Sequence, residues 1–137
     1  RDYYASRGLG DVYKRQMVMV EADEYKIFQV IYNLVNNAIN YTGDDKQIWV
    51  RQIVREDGYV RIEVTDSGEG IAPEALPYVW DRYYKVDKTH KRAVMGTGLG
   101  LSIVKNILEL HDARYGVESE VGKGSTFWFE LKVYQIV

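Results

Sequence analysis

Residues 59–66 constrain this chain more than any other stretch. Val60, Ile62 and Val64 alternate with Arg61, Glu63 and Thr65, so one face of the strand is apolar and the other polar. Such a strand belongs in a sheet covered on one side only. The Asp57-Gly58 pair ahead of it is a tight-turn signal, and Gln47–Arg55 before that has strand composition, which makes a hairpin. The cover must come from amphipathic helices. Ile27, Ile31, Leu34, Ala38 and Tyr41 recur at spacings of three and four, predicting a helix from an N-cap at Asp23 to a stop at Gly43. Leu101, Val104, Leu108 and His111, joined by Ile103, Ile107 and Leu110, predict a second. Pro73 opens a short third helix that reaches about Trp80. Met17–Glu21 is a short strand, and Arg114–Val121 and Ser125–Val133 close the chain around Gly122-Lys123-Gly124. The expected class is α+β. It is a two-layer sandwich of about five strands in a mostly antiparallel mixed sheet, with about three helices on one face. Tyr83–Gly98 has no periodicity and reads as a long loop, a length that usually serves function in a compact domain.

The 137 residues allow one domain. The formal net charge of −2 argues against a general nucleic-acid binder. The absence of cysteine excludes disulfides, thiol catalysis and cysteine-held metals. No apolar run approaches the roughly 20 residues of a membrane span, and no secretory signal is visible, so a cytoplasmic location is expected. Residues 1–16 lack periodicity, carry four basic residues against two acidic ones, and resemble translated adapter sequence over Arg7–Gln16. We expect a non-native or disordered leader there and a single domain over residues 17–137.

Three features carry chemistry. Asn33, Asn37 and Asn40 lie at i, i+4 and i+7 and share one helix face, with Asn36 beside it. Four asparagines disfavour a helix by about 2–3 kcal/mol against alanine, which solvated faces ordinarily avoid by using Lys and Glu. An amide oxygen suits a hard cation such as magnesium and does not repel phosphate. Next, Asp66-Ser67-Gly68-Glu69-Gly70-Ile71 follows a strand directly. It is either a plain turn or a carboxylate set where backbone can approach a flat ligand, accepting from an exocyclic amine as adenine offers. Last, Gly96-Thr97-Gly98-Leu99-Gly100-Leu101 opens the second long helix. Its glycines and the helix N-terminus make a phosphate cradle, although the spacing is not that of a dinucleotide fold or a P-loop. Ahead of it, Lys85, Lys88, Lys91 and Arg92 form either a solvated flap or a lid over anionic phosphates.

In order and spacing these features resemble the catalytic ATP-binding domain of sensor histidine kinases, in the superfamily shared with gyrase, heat-shock chaperones and mismatch-repair ATPases. The carrying residues are Asn33-Leu-Val-Asn-Asn37-Ala38, Asp66-Ser-Gly68-Glu-Gly70-Ile71, Trp80-Asp-Arg82-Tyr83-Tyr84, Gly96-Thr97-Gly98-Leu99-Gly100-Leu101 and Gly122-Lys-Gly124-Ser-Thr126-Phe. The resemblance spans Met17 to about Val133 and implies a Bergerat-type fold binding ATP and Mg2+. It implies that Asn37 holds magnesium and Asn33 helps position it and the phosphates. Asp66 would bind the adenine amine, with Thr126 near it through water, and Tyr41 would pack by the ring. Gly68, Gly70 and Ile71 would belong to the adenine side. Gly96, Thr97, Gly98, Leu99 and Gly100 would line the phosphates, with Arg82, Tyr83 and Lys85 on the lid side. Two positions depart from the family pattern. Asn40 stands where a phosphate-reaching lysine is usual, and Asp112 where a glycine usually ends the second helix sharply.

The resemblance also implies a kinase rather than a water-splitting ATPase. Asn33 stands where the ATPases carry a glutamate base, and an amide cannot take a proton. A histidine acceptor is already nucleophilic at pH 7. Neither His90 nor His111 has the acceptor pattern, so the acceptor would lie on a separate dimerisation hairpin, with a response regulator downstream. The rim around Tyr83, Tyr84 and Lys85 would meet that hairpin. The alternative is a nucleotide-binding module without transfer activity, such as a pseudokinase or an anti-sigma-like binder.

Overall fold

A computed structural model describes residues 17–81 and 100–136. Its five strands are β1 (Val18–Val20), β2 (Ile48–Val54), β3 (Tyr59–Asp66), β4 (Arg114–Glu120) and β5 (Gly124–Ile136), with helices α1 (Glu24–Tyr41) and α2 (Gly100–Leu110). All strand pairings are antiparallel. β5 takes β3 on one side and β4 on the other, β2 lies outside β3, and β1 pairs the far end of β5. The α+β class and the five-strand sheet are as expected.

The register explains the layers. Val60 faces Leu131, Ile62 faces Phe129 and Val64 faces Phe127 across β3 and β5. Together with Val30, Leu34, Ala38, Val104 and Leu108 they make one buried core between sheet and helices. Phe127 and Phe129 are its largest members, each worth roughly 2–3 kcal/mol of burial. The alternate residues make the other face. There Glu130 is only 3% exposed, held by Arg61 at 3.3 Å, Arg114 at 3.3 Å and Arg55 at 3.4 Å. Arg61 also lies 4.0 Å from the Trp128 ring centroid. The polar half of the alternating pattern is thus a paired guanidinium–carboxylate layer.

The ends of the elements show where local rules hold. Asp23 caps α1, its Oδ1 accepting from Lys26 N at 3.1 Å. Gly58 turns the β2–β3 hairpin at φ +89°. Gly43 does not stop α1. The C-cap is Thr42 in extended conformation, and Gly43 is needed because a Cβ there would lie 2.4 Å from Ser67 O.

The third helix expected from Pro73 shrinks to a single 3₁₀ turn, Leu76–Tyr78. Pro77 has no N–H to donate to Pro73, so an α-helix cannot continue. The described residues therefore hold two α-helices.

Asp112, expected to blur the end of α2, instead ends it sharply. It takes the left-handed conformation at φ +52°. Ala113 N then donates to Leu108 O at 2.9 Å and Asp112 N to Glu109 O at 3.1 Å, a Schellman closure with aspartate in the glycine position.

Candidate functional site

Helix α1 presents different faces to different surroundings. Val30, Leu34 and Ala38 are buried in the core. Asn33 and Asn37 are half-buried on the adjacent face, while Asn36 and Asn40 are exposed. The structure therefore brings two of the four asparagines to the site. The Asn33 Oδ1 lies 3.8 Å from where a Cβ on Gly100 would sit, so the asparagine face meets the first residue of α2. The Asn37 Nδ2 is buried and has no hydrogen-bond partner among the described residues. An unsatisfied buried amide costs about 1–3 kcal/mol, and asparagine adds its poor helix propensity. Position 37 thus holds a group that works against the fold, as ligand-binding positions do.

Asp66 ends β3 on the core side and is 1% exposed. Its Oδ1 accepts from Gly68 N at 2.8 Å, which fixes the carboxylate at the mouth of the following turn. The glycines of that turn answer to other backbone. A Cβ on Gly68 would lie 1.9 Å from Tyr41 O, and one on Gly70, at φ +81°, would lie 2.3 Å from Glu120 O. The turn is wedged between the end of α1 and the β4–β5 hairpin. Tyr41, the last residue of α1, is half-buried at this wedge.

Two expectations at this end change. Thr126 pairs with Thr65, and their hydroxyls are 2.8 Å apart. They stand on the sheet face that carries Arg61 and Glu130, away from the helices, because successive residues alternate. The residue facing Asp66 is Ser125, 2% exposed. Its hydroxyl is 2.8 Å from Ser119 Oγ, which accepts from Ile71 N at 2.8 Å. Ser119 and Ser125 were missed from the sequence. The signal was the two-residue parity, which needs the strand register before it can be used. Ile71 is 1% exposed and part of the core, so its side chain serves as floor rather than as an exposed contact.

Trp80 stacks edge-on against Tyr115 at 5.1 Å and Phe127 at 5.5 Å, anchoring the chain where it leaves the described residues. Tyr115 donates to Glu109 at 2.8 Å, and burial together with that bond pushes its phenol up to about 12. Asp57 lies below the usual carboxylate range, chiefly through its bond with Arg114 at 2.9 Å. Both sit away from the asparagine face. Arg82, Tyr83, Lys85, Gly96, Thr97, Gly98 and Leu99 lie outside the described residues, as do the loop over Tyr83–Gly98 and residues 1–16.

The asparagine face, the buried aspartate and the glycine-opened helix stand within one fold, and known proteins share that fold. The model of the histidine kinase-, DNA gyrase B- and HSP90-like ATPases matches residues 22–135. This chain belongs to that family. It is a catalytic domain of the sensor histidine kinase type. It is 42% identical over 118 residues to drug sensory protein A of Synechocystis, covering 80% of this chain and 18% of that protein. Among solved structures, full-length ShkA in complex with AMPPNP superposes with a TM-score of 0.72 at 29% identity, over 85% of this chain and 23% of that one. The catalytic domain of histidine kinase ThkA in a nucleotide-free form gives 0.68 at 34% identity, over 82% and 70%. The histidine kinase domain here thus spans under a fifth of the sensor protein it matches in sequence. No helix among the described residues is long and apolar enough to cross a membrane.

Proposed function

We propose that this histidine kinase domain binds Mg-ATP between α1 and the N-terminus of α2 and passes the γ-phosphate to a histidine on a separate dimerisation hairpin. The reading rests on the asparagine face, with Asn33 beside Gly100 and the Asn37 Nδ2 buried without a hydrogen-bond partner among the described residues, a donor that suits a phosphate oxygen. The amide oxygens of the same side chains suit a magnesium ion shared with phosphates. Among the described residues no three His, Cys, Asp or Glu side chains gather, so an all-protein cage is not offered. Mg2+ is ordinarily shared between one or two protein oxygens and substrate phosphates. Asn37 would hold the ion and Asn33 would help set it and the phosphates, and the bound ion would screen the phosphate charge. Asp66 accepts from the adenine amine and Tyr41 packs by the ring, with Ser125 rather than Thr126 beside the carboxylate.

By the sequence resemblance Gly96, Gly98, Leu99 and Gly100 would serve the phosphates, with Arg82 and Lys85 as lid-side cations. A neutral imidazole nitrogen of the hairpin attacks the γ-phosphorus. The bond from that phosphorus to the bridging oxygen breaks, and ADP leaves with the electron pair. Asn33 supplies no base, so water is not activated. The parent protein would be a two-component kinase working where ATP is found, in the cytoplasm, with a response regulator receiving the phosphoryl group. Residues 17–137 would be the catalytic domain and residues 1–16 would lie outside it.

The test is to incubate the chain with radiolabelled ATP, with and without a matched hairpin. The expected result is slow phosphate release, no label on the chain, and acid-labile label on the hairpin. Rapid release by the chain alone would point to an ATPase. Binding without transfer to any matched hairpin would leave a nucleotide-binding module.

A further inference from the structure

The two helices approach each other at both ends of their contact, and a hydrogen bond joins them at one. At one end Asn33 meets Gly100. At the other, His111, just past α2, meets Asp23, the N-cap of α1. His111 Nε2 lies 3.0 Å from Asp23 N, and Nδ1 lies 2.9 Å from Ile107 O. A backbone N–H only donates and a carbonyl only accepts. The ring must therefore carry its proton on Nδ1 and offer the Nε2 lone pair. One neutral tautomer satisfies both partners and joins two helix termini. The two approaches are ten residues apart on α1 and eleven on α2, or about 15 Å at 1.5 Å per residue. The helices run antiparallel, so a slip of one residue would break the His111–Asp23 bond. Val30 and Leu34 of α1 and Val104 and Leu108 of α2 belong to one buried core, and the His111–Asp23 bond adds a directional contact at one end of that packing.

We propose that His111 is a positioning residue for the nucleotide site. By accepting from Asp23 it sets the spacing between the asparagine face of α1 and the N-terminus of α2. The proposal rests on the Mg-ATP reading above. Phosphate and metal are held by groups on the two helices, so their geometry depends on this spacing. An ångström of misplacement can cost on the order of a hundredfold in a positioned reaction. The adenine end does not span the two helices, because Asp66 sits on β3, fixed by its own turn, and Tyr41 lies on α1 beside that turn. His111 therefore affects the phosphate end and spares the adenine end.

The experiment compares H111L, which keeps bulk and loses the acceptor, with H111Q, whose Oε1 can accept from Asp23 N. Affinities for Mg-ATP and for adenosine are measured by calorimetry on the whole chain. Turnover with a matched hairpin in trans is measured alongside. H111L is expected to weaken Mg-ATP binding at least tenfold and to lower transfer, with adenosine affinity within twofold of the parent. H111Q should recover most of both losses.

If H111L does not fold, Asp23→Pro removes the same N–H from the other side. The Asp23 φ of −75° suits proline, and Asp23→Ala controls for the lost cap. Equal losses for Mg-ATP and adenosine, no loss at all, or a folded H111Q that fails to recover would overturn the proposal. So would a finding that neither H111L nor Asp23→Pro folds, since the contact would then serve stability and not placement. A parent chain that binds no Mg-ATP would instead overturn the reading of the site itself.

Discussion

Ser125 stands opposite Asp66 across β3 and β5, and both side chains are buried on the helix-covered face of the sheet. Thr126, one residue on, bonds to Thr65 on the other face. The hydroxyl that shares the carboxylate's surroundings therefore belongs to Ser125. Ser125→Ala should weaken ATP binding several-fold, whereas Thr126→Val should leave it within about twofold and act only on stability, by about 1 kcal/mol for the lost hydrogen bond. Titration of both variants with ATP, beside their melting curves, checks the assignment. The reverse ranking would return the role to Thr126.

Asp66→Asn should cost ATP affinity about 1.5–3 kcal/mol, roughly tenfold or more, because a charged acceptor is replaced by an amide. The preference over GTP should flatten as well, since the carboxylate only accepts and the amide can also donate. Competition between ATP and GTP measures this directly. A variant that still prefers ATP as strongly would show that another group reads the base.

Asn37→Ala should separate binding from stability. It removes an unsatisfied buried amide nitrogen and a poor helix former, so the chain should gain about 1 kcal/mol against chemical denaturation. It should also lose most of the magnesium dependence of ATP binding. Calorimetry with and without magnesium gives the second quantity, and urea titration without nucleotide gives the first. Loss of stability together with unchanged metal dependence would mean that Asn37 is structural.

Tyr115 supplies a pH test. Its phenol is raised to about 12 by burial and by the bond to Glu109, against about 10 for an unfolded tyrosine. A raised value favours the protonated form in the fold. The contribution is thus fully present below about pH 10 and is lost as pH rises from about 10 toward 12. Between those values Tyr115→Phe should lose less stability than the parent chain. Denaturation series at pH 9 and 11 measure the difference. Parallel losses would show that this phenol is not linked to folding.

Local signals placed most of the elements. The cap at Asp23, the alternation over Tyr59–Asp66 and the turn at Gly58 all appear where the sequence puts them. Pro77 shows the limit of a propensity argument, since Pro73 is a good helix start and the second proline still prevents the α-helix. Asp112 shows another limit. A position that prefers glycine accepts aspartate when the closing bonds from Ala113 and Asp112 are made.

The sequence by itself determined the periods, most of the caps, the order of the motifs and so the family. Each of these depends on residues within a few positions of one another, where sterics and local hydrogen bonds decide. The tertiary structure alone decided which hydroxyl faces Asp66, why Gly68 and Gly70 must be glycine, how Glu130 is neutralised, and that His111 meets Asp23. These joins link segments that are far apart in the chain, including 88 positions between His111 and Asp23. They follow from strand register and helix packing, which are set by the summed fit of the whole core, and no local pattern encodes that fit.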